Sequence, residues 1–436
     1  MKLFATLLLS AAAQAVVLEV PQDFATIGAA LQASAAHDVV LVAPGVYPGN
    51  LIFPAHAVEL RSVAGPQSTV LAATSGSVVT FQSGQTPSTV LEGFTIQGGT
   101  GTPVFLNGVS RGGVGGGVFC RNNSSPLIRH NWIENNRAAW PAGVGGGIFA
   151  WDSSPRIEQN RIRANTAHYG GGIYLQSSAS LVLENLIEDN DTMPAQNGFS
   201  NGKGGGLRAM YGSPVIEGNT FKGNHCHWVG SAIALSEPGT TVSVTRNLLV
   251  GNAGNYPIDI AYSAHGYLAC NLQWGNTPAN QWPVSGYWTN EGGNGFADPH
   301  FCDGGEWPYR VEESSPCRPG QNPFGSGCGW IGATQLLCEQ VVEADEEVPA
   351  AWSLGLPWPN PFNPVTHVSV DVPGLGAARL QLFNLRGELV RTLHEGLLEP
   401  GRRDFQLDAG TLPSGLYLLR LEAAGRAQVR KVSLIR

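Results

Sequence analysis

Apolar and polar residues alternate along the first three hundred positions in runs of three to five, broken by Gly, Pro and Asn, and the alternation recurs. One apolar column reads Val118, Ile148, Ile173, Leu207, Ile233, Ile258, and two residues on a second reads Cys120, Ala150, Leu175, Ala209, Leu235, Ile260. A third column is Ile128, Ile157, Val182, Ile216, Val244, Leu268; a fourth is Ile133, Ile162, Ile187, Phe221, Leu249, interrupted by Gln273. Helical repeats need apolar residues at i, i+3, i+4 and i+7, which these runs lack. Period-two alternation in several short strands per repeat predicts a parallel β-helix, with each inward column stacked on itself at about 4.8 Å per coil.

The polar punctuation repeats as well. Gly-Gly-Gly-aliphatic blocks begin at Gly115, Gly145, Gly170 and Gly204, with a degenerate fifth copy at Gly230 and a sixth around Ile258. Each precedes an asparagine of the series Asn131, Asn160, Asn185, Asn219, Asn247, Asn271, spaced by 29, 25, 34, 28 and 24 residues. Five residues after each stands another: Asn136, Asn165, Asn190, Asn224, Asn252, Asn276. A unit this short cannot bury an apolar face alone and must stack on its neighbours. The asparagines are expected at a corner, where their amides tolerate a left-handed backbone and bond one another from coil to coil. The glycines are expected at a second corner, where φ is positive or a Cβ does not fit. No Gly-Lys-Ser/Thr follows them, so a phosphate loop is excluded.

Residues 1–15 read as a signal peptide: a basic start, the apolar run Leu3–Ala13, and Ala13-Gln14-Ala15 as a cleavage site. The stretch after Val20-Pro21-Gln22-Asp23-Phe24-Ala25-Thr26-Ile27 reads as a short helix to about Ala36. This opening resembles that of many secreted right-handed β-helix proteins of the pectate-lyase-like superfamily, in which such a helix plugs the open end. The resemblance implies a right-handed coil from about residue 17 to 300, nine or ten turns and about 45 Å long. Five of the seven cysteines fall between Cys270 and Cys338, and in an exported chain these predict bridges. Cys317–Cys328 and Cys270–Cys302 are candidate pairs, and Cys120 reads as a small core residue. Ala297-Asp298-Pro299-His300-Phe301-Cys302 resembles the closing segment of bacterial secreted β-helix proteins.

The region 16–338 is thus expected to be the solenoid with its two caps, and 339–355 an acidic linker. From Leu356 the chain changes to longer alternating runs with turns at Asn384-Leu385-Arg386-Gly387, Glu399-Pro400-Gly401 and Leu412-Pro413-Ser414-Gly415, which predict a small β-sandwich over 356–436. The strings P-N-P-F-N-P, F-N-L-R-G-E-L-V, L-P-S-G-L-Y and the terminal Lys431-Val432 resemble the C-terminal sorting domain of the bacterial type IX secretion system. They are also similar to the immunoglobulin-like module of flagellar hook-capping proteins. The resemblance implies that 356–436 addresses the protein to export machinery and that it ends secreted or on the outer cell surface.

The fold class is therefore all-β, a right-handed parallel β-helix followed by a β-sandwich. Net charge −8 with four lysines argues against nucleic acid or an anionic membrane as partner, and no segment reads as a membrane span. The outward column after the glycines, Phe119, Phe149, Tyr174, Arg208, beside Trp151, is either a satellite core under inserted loops such as 193–203 or a stacking platform for sugar rings. A monomeric polysaccharide-binding protein follows from the second option, with these five residues as its contact surface. A lyase or glycoside hydrolase is the enzymatic alternative, and a structural surface protein or adhesin the third. Hydrolysis needs paired carboxylates, and none recur on neighbouring coils. Single candidates are His168, Lys203, Arg208, Asp259, His225 and His227. No metal or other cofactor is indicated, calcium included, and no C-x₂-C pair suggests zinc.

Overall fold

The computed structural model describes residues 15–106, 108–139, 141–194, 202–283, 287–302, 309–333, 335–338 and 351–435. The expected signal peptide, but for Ala15, and most of the expected acidic linker (339–350) lie outside the described residues. The chain divides into two units at Cys338/Glu339.

The first unit is a parallel β-helix. Three sheets of eleven, ten and eight strands run its length, so the coils slightly exceed the nine or ten expected. Thr26 caps the helix Ile27–Ala33 by accepting from Ala29 N at 3.1 Å, and Ile27, Ala30 and Leu31 close the core. The four columns stack as the periodicity predicts: Val118 on Ile148, Ile173, Leu207, Ile233 and Ile258, Ile128 on Ile157 and onward, Ile133 on Ile162 and onward. Where Gln273 interrupts the fourth column it is fully buried and bonds both Gln281 O (3.0 Å) and Gln281 N (3.2 Å). Pro126, Pro155 and Pro214 each precede a strand, where no ladder donor is required.

The asparagines form two rows. In the first, each Nδ2 donates to the next Oδ1 at 2.9–3.1 Å from Asn131 to Asn271, and on to Asn294. The second runs from Asn136 to Asn276 and ends on Asn280, every link at 3.0 Å. The same Oδ1 accepts the backbone N–H of the preceding row member, while Nδ2 also reaches a strand carbonyl, as Asn185 does to Ile157 O at 2.8 Å. None of the twelve is more than 4% exposed. One expectation is corrected. The left-handed residue is not the asparagine but the one before it: His130, Gln159, Glu184, Gly218 and Arg246 all have φ between 52° and 66°. That kink turns the next side chain inward, which is why the amide is buried and polar.

At the opposite corner the leading glycine of each block is left-handed, with φ of 57° to 72° from Gly115 to Gly230. The next is excluded by crowding: a Cβ on Gly146 would lie 2.5 Å from the carbonyl oxygen of Gly171.

Past the last coil the chain folds back over the second sheet. Gly332 N donates to Arg246 O (2.8 Å), Ala333 N to Thr220 Oγ1 (2.9 Å), and the Tyr309 hydroxyl to Glu188. The bridges are Cys270–Cys328 and Cys302–Cys338, so both expected pairs are overturned. Cys317 instead packs unbridged with Leu248, Val250, Leu272 and Ile331 against the solenoid wall. Cys120 and Cys226 are also free and buried.

The second unit is a β-sandwich. One antiparallel sheet holds Ser353–Leu354, Val365–Val372 and Gly401–Asp408; the other holds Leu389–Leu398, Gly376–Phe383, Gly415–Ala423 and Arg426–Leu434. Alternate residues such as Val368, Val370, Leu380, Leu382, Leu419 and Leu421 form its core.

Candidate functional site

The outward aromatic column is a satellite core, which corrects its reading as a contact surface. Phe119 and Phe149 are fully buried and Tyr174 is 2% exposed. The antiparallel pair Thr102–Leu106 and Val109–Val114 supplies Val104 and Val114 to the cluster, with Val144, Tyr169 and Met210 around it. Phe119 and Phe149 stack at 5.5 Å and Phe149 meets Tyr174 at 5.3 Å. No sugar ring can lie on faces already covered. The cover lies outside the repeat, so the column alone could not decide between the two readings.

Arg208 is buried in the same stretch. Its guanidinium lies 4.3 Å over Tyr169 and 5.7 Å from Tyr174, and Nη2 donates to Ser236 Oγ at 3.3 Å. Lys203 Nζ stands 4.4 Å over Trp228 and 4.7 Å over Tyr262. Burial holds the Lys203 ammonium below the ordinary lysine pKa, and the Arg208 charge adds to this; Asp259 and Glu237 oppose it. Burial likewise raises Asp259, against the pull of Lys203 and Arg208. Three of the single candidates therefore form one electrostatic group. His168 is fully buried edge-on to Tyr169 at 4.3 Å. His225 and His227 lie beside Asp191.

Trp151 is different. It stands half-buried at the rim of the cluster and lines a groove of about 620 Å³ with Asn122, Asn123, Asp152, Ser154 and Ser177. The groove follows from the repeat: Arg121, Trp151 and Gln176 occupy one register position, and the residue after each turns in the left-handed region. Those residues are Asn122 (58°), Asp152 (45°) and Ser177 (52°), all exposed. Short polar side chains tolerate that backbone. The turns are tied by Asn123 N to Asp152 O (2.8 Å) and Ala179 N to Ser154 Oγ (3.0 Å). Periodicity could have found this edge, since each member follows the outward column Phe119, Phe149, Tyr174 by three residues. A cavity of about 680 Å³ in the C-terminal unit is lined by Arg379, Glu395, Arg420 and Glu422, which neutralise one another in pairs.

Comparison with known proteins agrees with this architecture. Residues 61–198 and 145–272 match the right handed beta helix region family, and 357–435 match the secretion system C-terminal sorting domain. No curated protein and no solved structure matches the chain. Among the described residues no helix is long and apolar enough to cross a membrane. A type IX sorting domain directs its carrier to the cell surface or the medium. The chain is a right-handed β-helix protein with a secretion-system C-terminal sorting domain.

Proposed function

We propose that the solenoid binds polysaccharide, with the groove beside Trp151 as its contact surface. The observation that carries this is one half-exposed indole set among exposed Asn, Asp and Ser side chains on successive coils. An indole face stacks on the apolar face of a sugar ring, while short polar side chains exchange hydrogen bonds with its hydroxyls. Coils about 4.8 Å apart repeat these donors and acceptors along an extended chain. Phe119, Phe149, Tyr174 and Arg208 support the groove from beneath and make no contact with the sugar.

A second reading rests on the Lys203–Arg208–Asp259 group. A lysine with a lowered pKa beside an arginine is a candidate base, which favours a lyase acting on an acidic glycan. A glycan array followed by product analysis separates the readings. Binding without new reducing or unsaturated ends, weakened about tenfold or more in Trp151→Ala, is the expected result. Turnover abolished by Lys203→Met would favour the enzyme. Absence of any hit among neutral and acidic glycans would leave a structural surface protein or adhesin.

A further inference from the structure

The corner strand His225–Val229 is interrupted by an irregularity between its two ends. Cys226 and Val229 are buried in the wall, while His225 and His227 are partly exposed. One coil away, Asp191 pairs in register with His225. The carboxylate Oδ1 is 2.6 Å from His225 Nδ1 and 3.8 Å from His227 Nδ1. One donor atom from each of the three residues falls within 4.8 Å of the others.

An Asp–His hydrogen bond accounts for only part of this. The 3.8 Å separation is too long for a hydrogen bond, and His227 Nδ1 has no hydrogen-bond partner among the described residues. His227 is nevertheless held in place, because its backbone N–H donates to Thr192 Oγ1 at 3.0 Å. Two imidazoles and a carboxylate converge on one point, each between roughly a quarter and a half exposed. Zn²⁺ binds such donors at about 2.0–2.2 Å, which sets tetrahedral neighbours about 3.4 Å apart. The observed spacings reach that value by side-chain rotations of about an ångström.

We propose that Asp191, His225 and His227 form a binding site for a divalent transition-metal cation of the zinc class. Imidazole and carboxylate together select such ions over calcium, which takes oxygen ligands alone. Three protein ligands at a half-exposed corner leave a fourth position for water or for an oxygen of a bound molecule. The site clips two adjacent coils and does not depend on the Trp151 groove.

The full chain, stripped with chelator and shown folded by its melting curve, is titrated with Zn²⁺ by calorimetry and with Co²⁺ by visible absorption. One equivalent is expected, with visible bands of a four- or five-coordinate Co²⁺ ion. Asp191→Asn and His227→Ala should each weaken Zn²⁺ binding tenfold or more, with the melting curve of the metal-free chain retained. His265→Ala, remote in sequence and only partly exposed, should change nothing. Affinity should fall as the pH is lowered, because bound imidazoles must be neutral. Absence of an equivalent of bound metal, or binding that survives Asp191→Asn and His227→Ala together, would overturn the proposal.

Discussion

The two units bury polar groups in opposite amounts. In the solenoid twelve asparagines sit almost without solvent contact inside the wall, all bonded. Among the described residues of the sandwich, Thr366 alone is a buried polar side chain. The difference follows from translation. A coil offers the coil above it the same acceptor in the same place, so an amide with donors and acceptors is satisfied at every level. A sandwich has no such repeat and closes on alternating aliphatic residues instead. Each strategy fails in its own way, which makes the contrast testable.

The largest effect should come from separating the units. Removing 351–436 should abolish export while leaving the solenoid folded, as read by fractionation of the producing cell and by the melting curve of the purified remnant. Unfolding of the remnant would show that the sandwich also supports the wall. Next, Asn185→Leu strands the backbone N–H of Asn160, takes one acceptor from its amide, removes the side-chain donor to the carbonyls of Ile157 and Leu183, and cuts the link to Asn219. At about 1–3 kcal/mol for each stranded group the loss should reach about 4 kcal/mol or more in chemical denaturation. Thr366→Val removes one bond, to Pro359 O at 2.7 Å, and should cost about 1 kcal/mol. Equal losses would refute the claim that repetition amplifies the amide. The smallest contrast uses glycines. Gly146→Ala drives a Cβ against a neighbouring coil's backbone and should cost about 2 kcal/mol or more. Gly425→Ala, left-handed at 72° but in open space, should cost about 1–2 kcal/mol from backbone strain alone.

The wall was legible in the sequence because inward columns such as Val118 to Ile258 repeat without interruption. Its outer face was not. What covers Phe119 and Phe149 is an antiparallel pair inserted between coils, and an insertion carries no period. Cysteine pairing was equally opaque: Cys270 meets Cys328 across 58 residues because the tail doubles back, which no local spacing reports. Asparagine's own tolerance of a left-handed backbone masks the role of its predecessor, which is the residue that takes the turn. The Asp191–His225 contact was readable in principle. Each directly follows an asparagine of the second row, Asn190 and Asn224, and so must stand one coil apart.

The unequal coil lengths have a practical consequence. From the first glycine of each block to the next first-row asparagine the chain advances 16, 15, 15, 15 and 17 residues. From the second-row asparagine to the following glycine it advances 9, 5, 14 and 6. Length varies at one corner and is nearly constant around the rest of the circuit. That corner is therefore a natural splice point for protein engineering: a foreign peptide joined between Thr192 and Gly204 leaves both amide rows in step. The same peptide placed between Gly170 and Asn185 would shift an asparagine out of its row and break the stack on both sides. An exported rod with one permissive corner is a scaffold for displaying a chosen loop outside the cell.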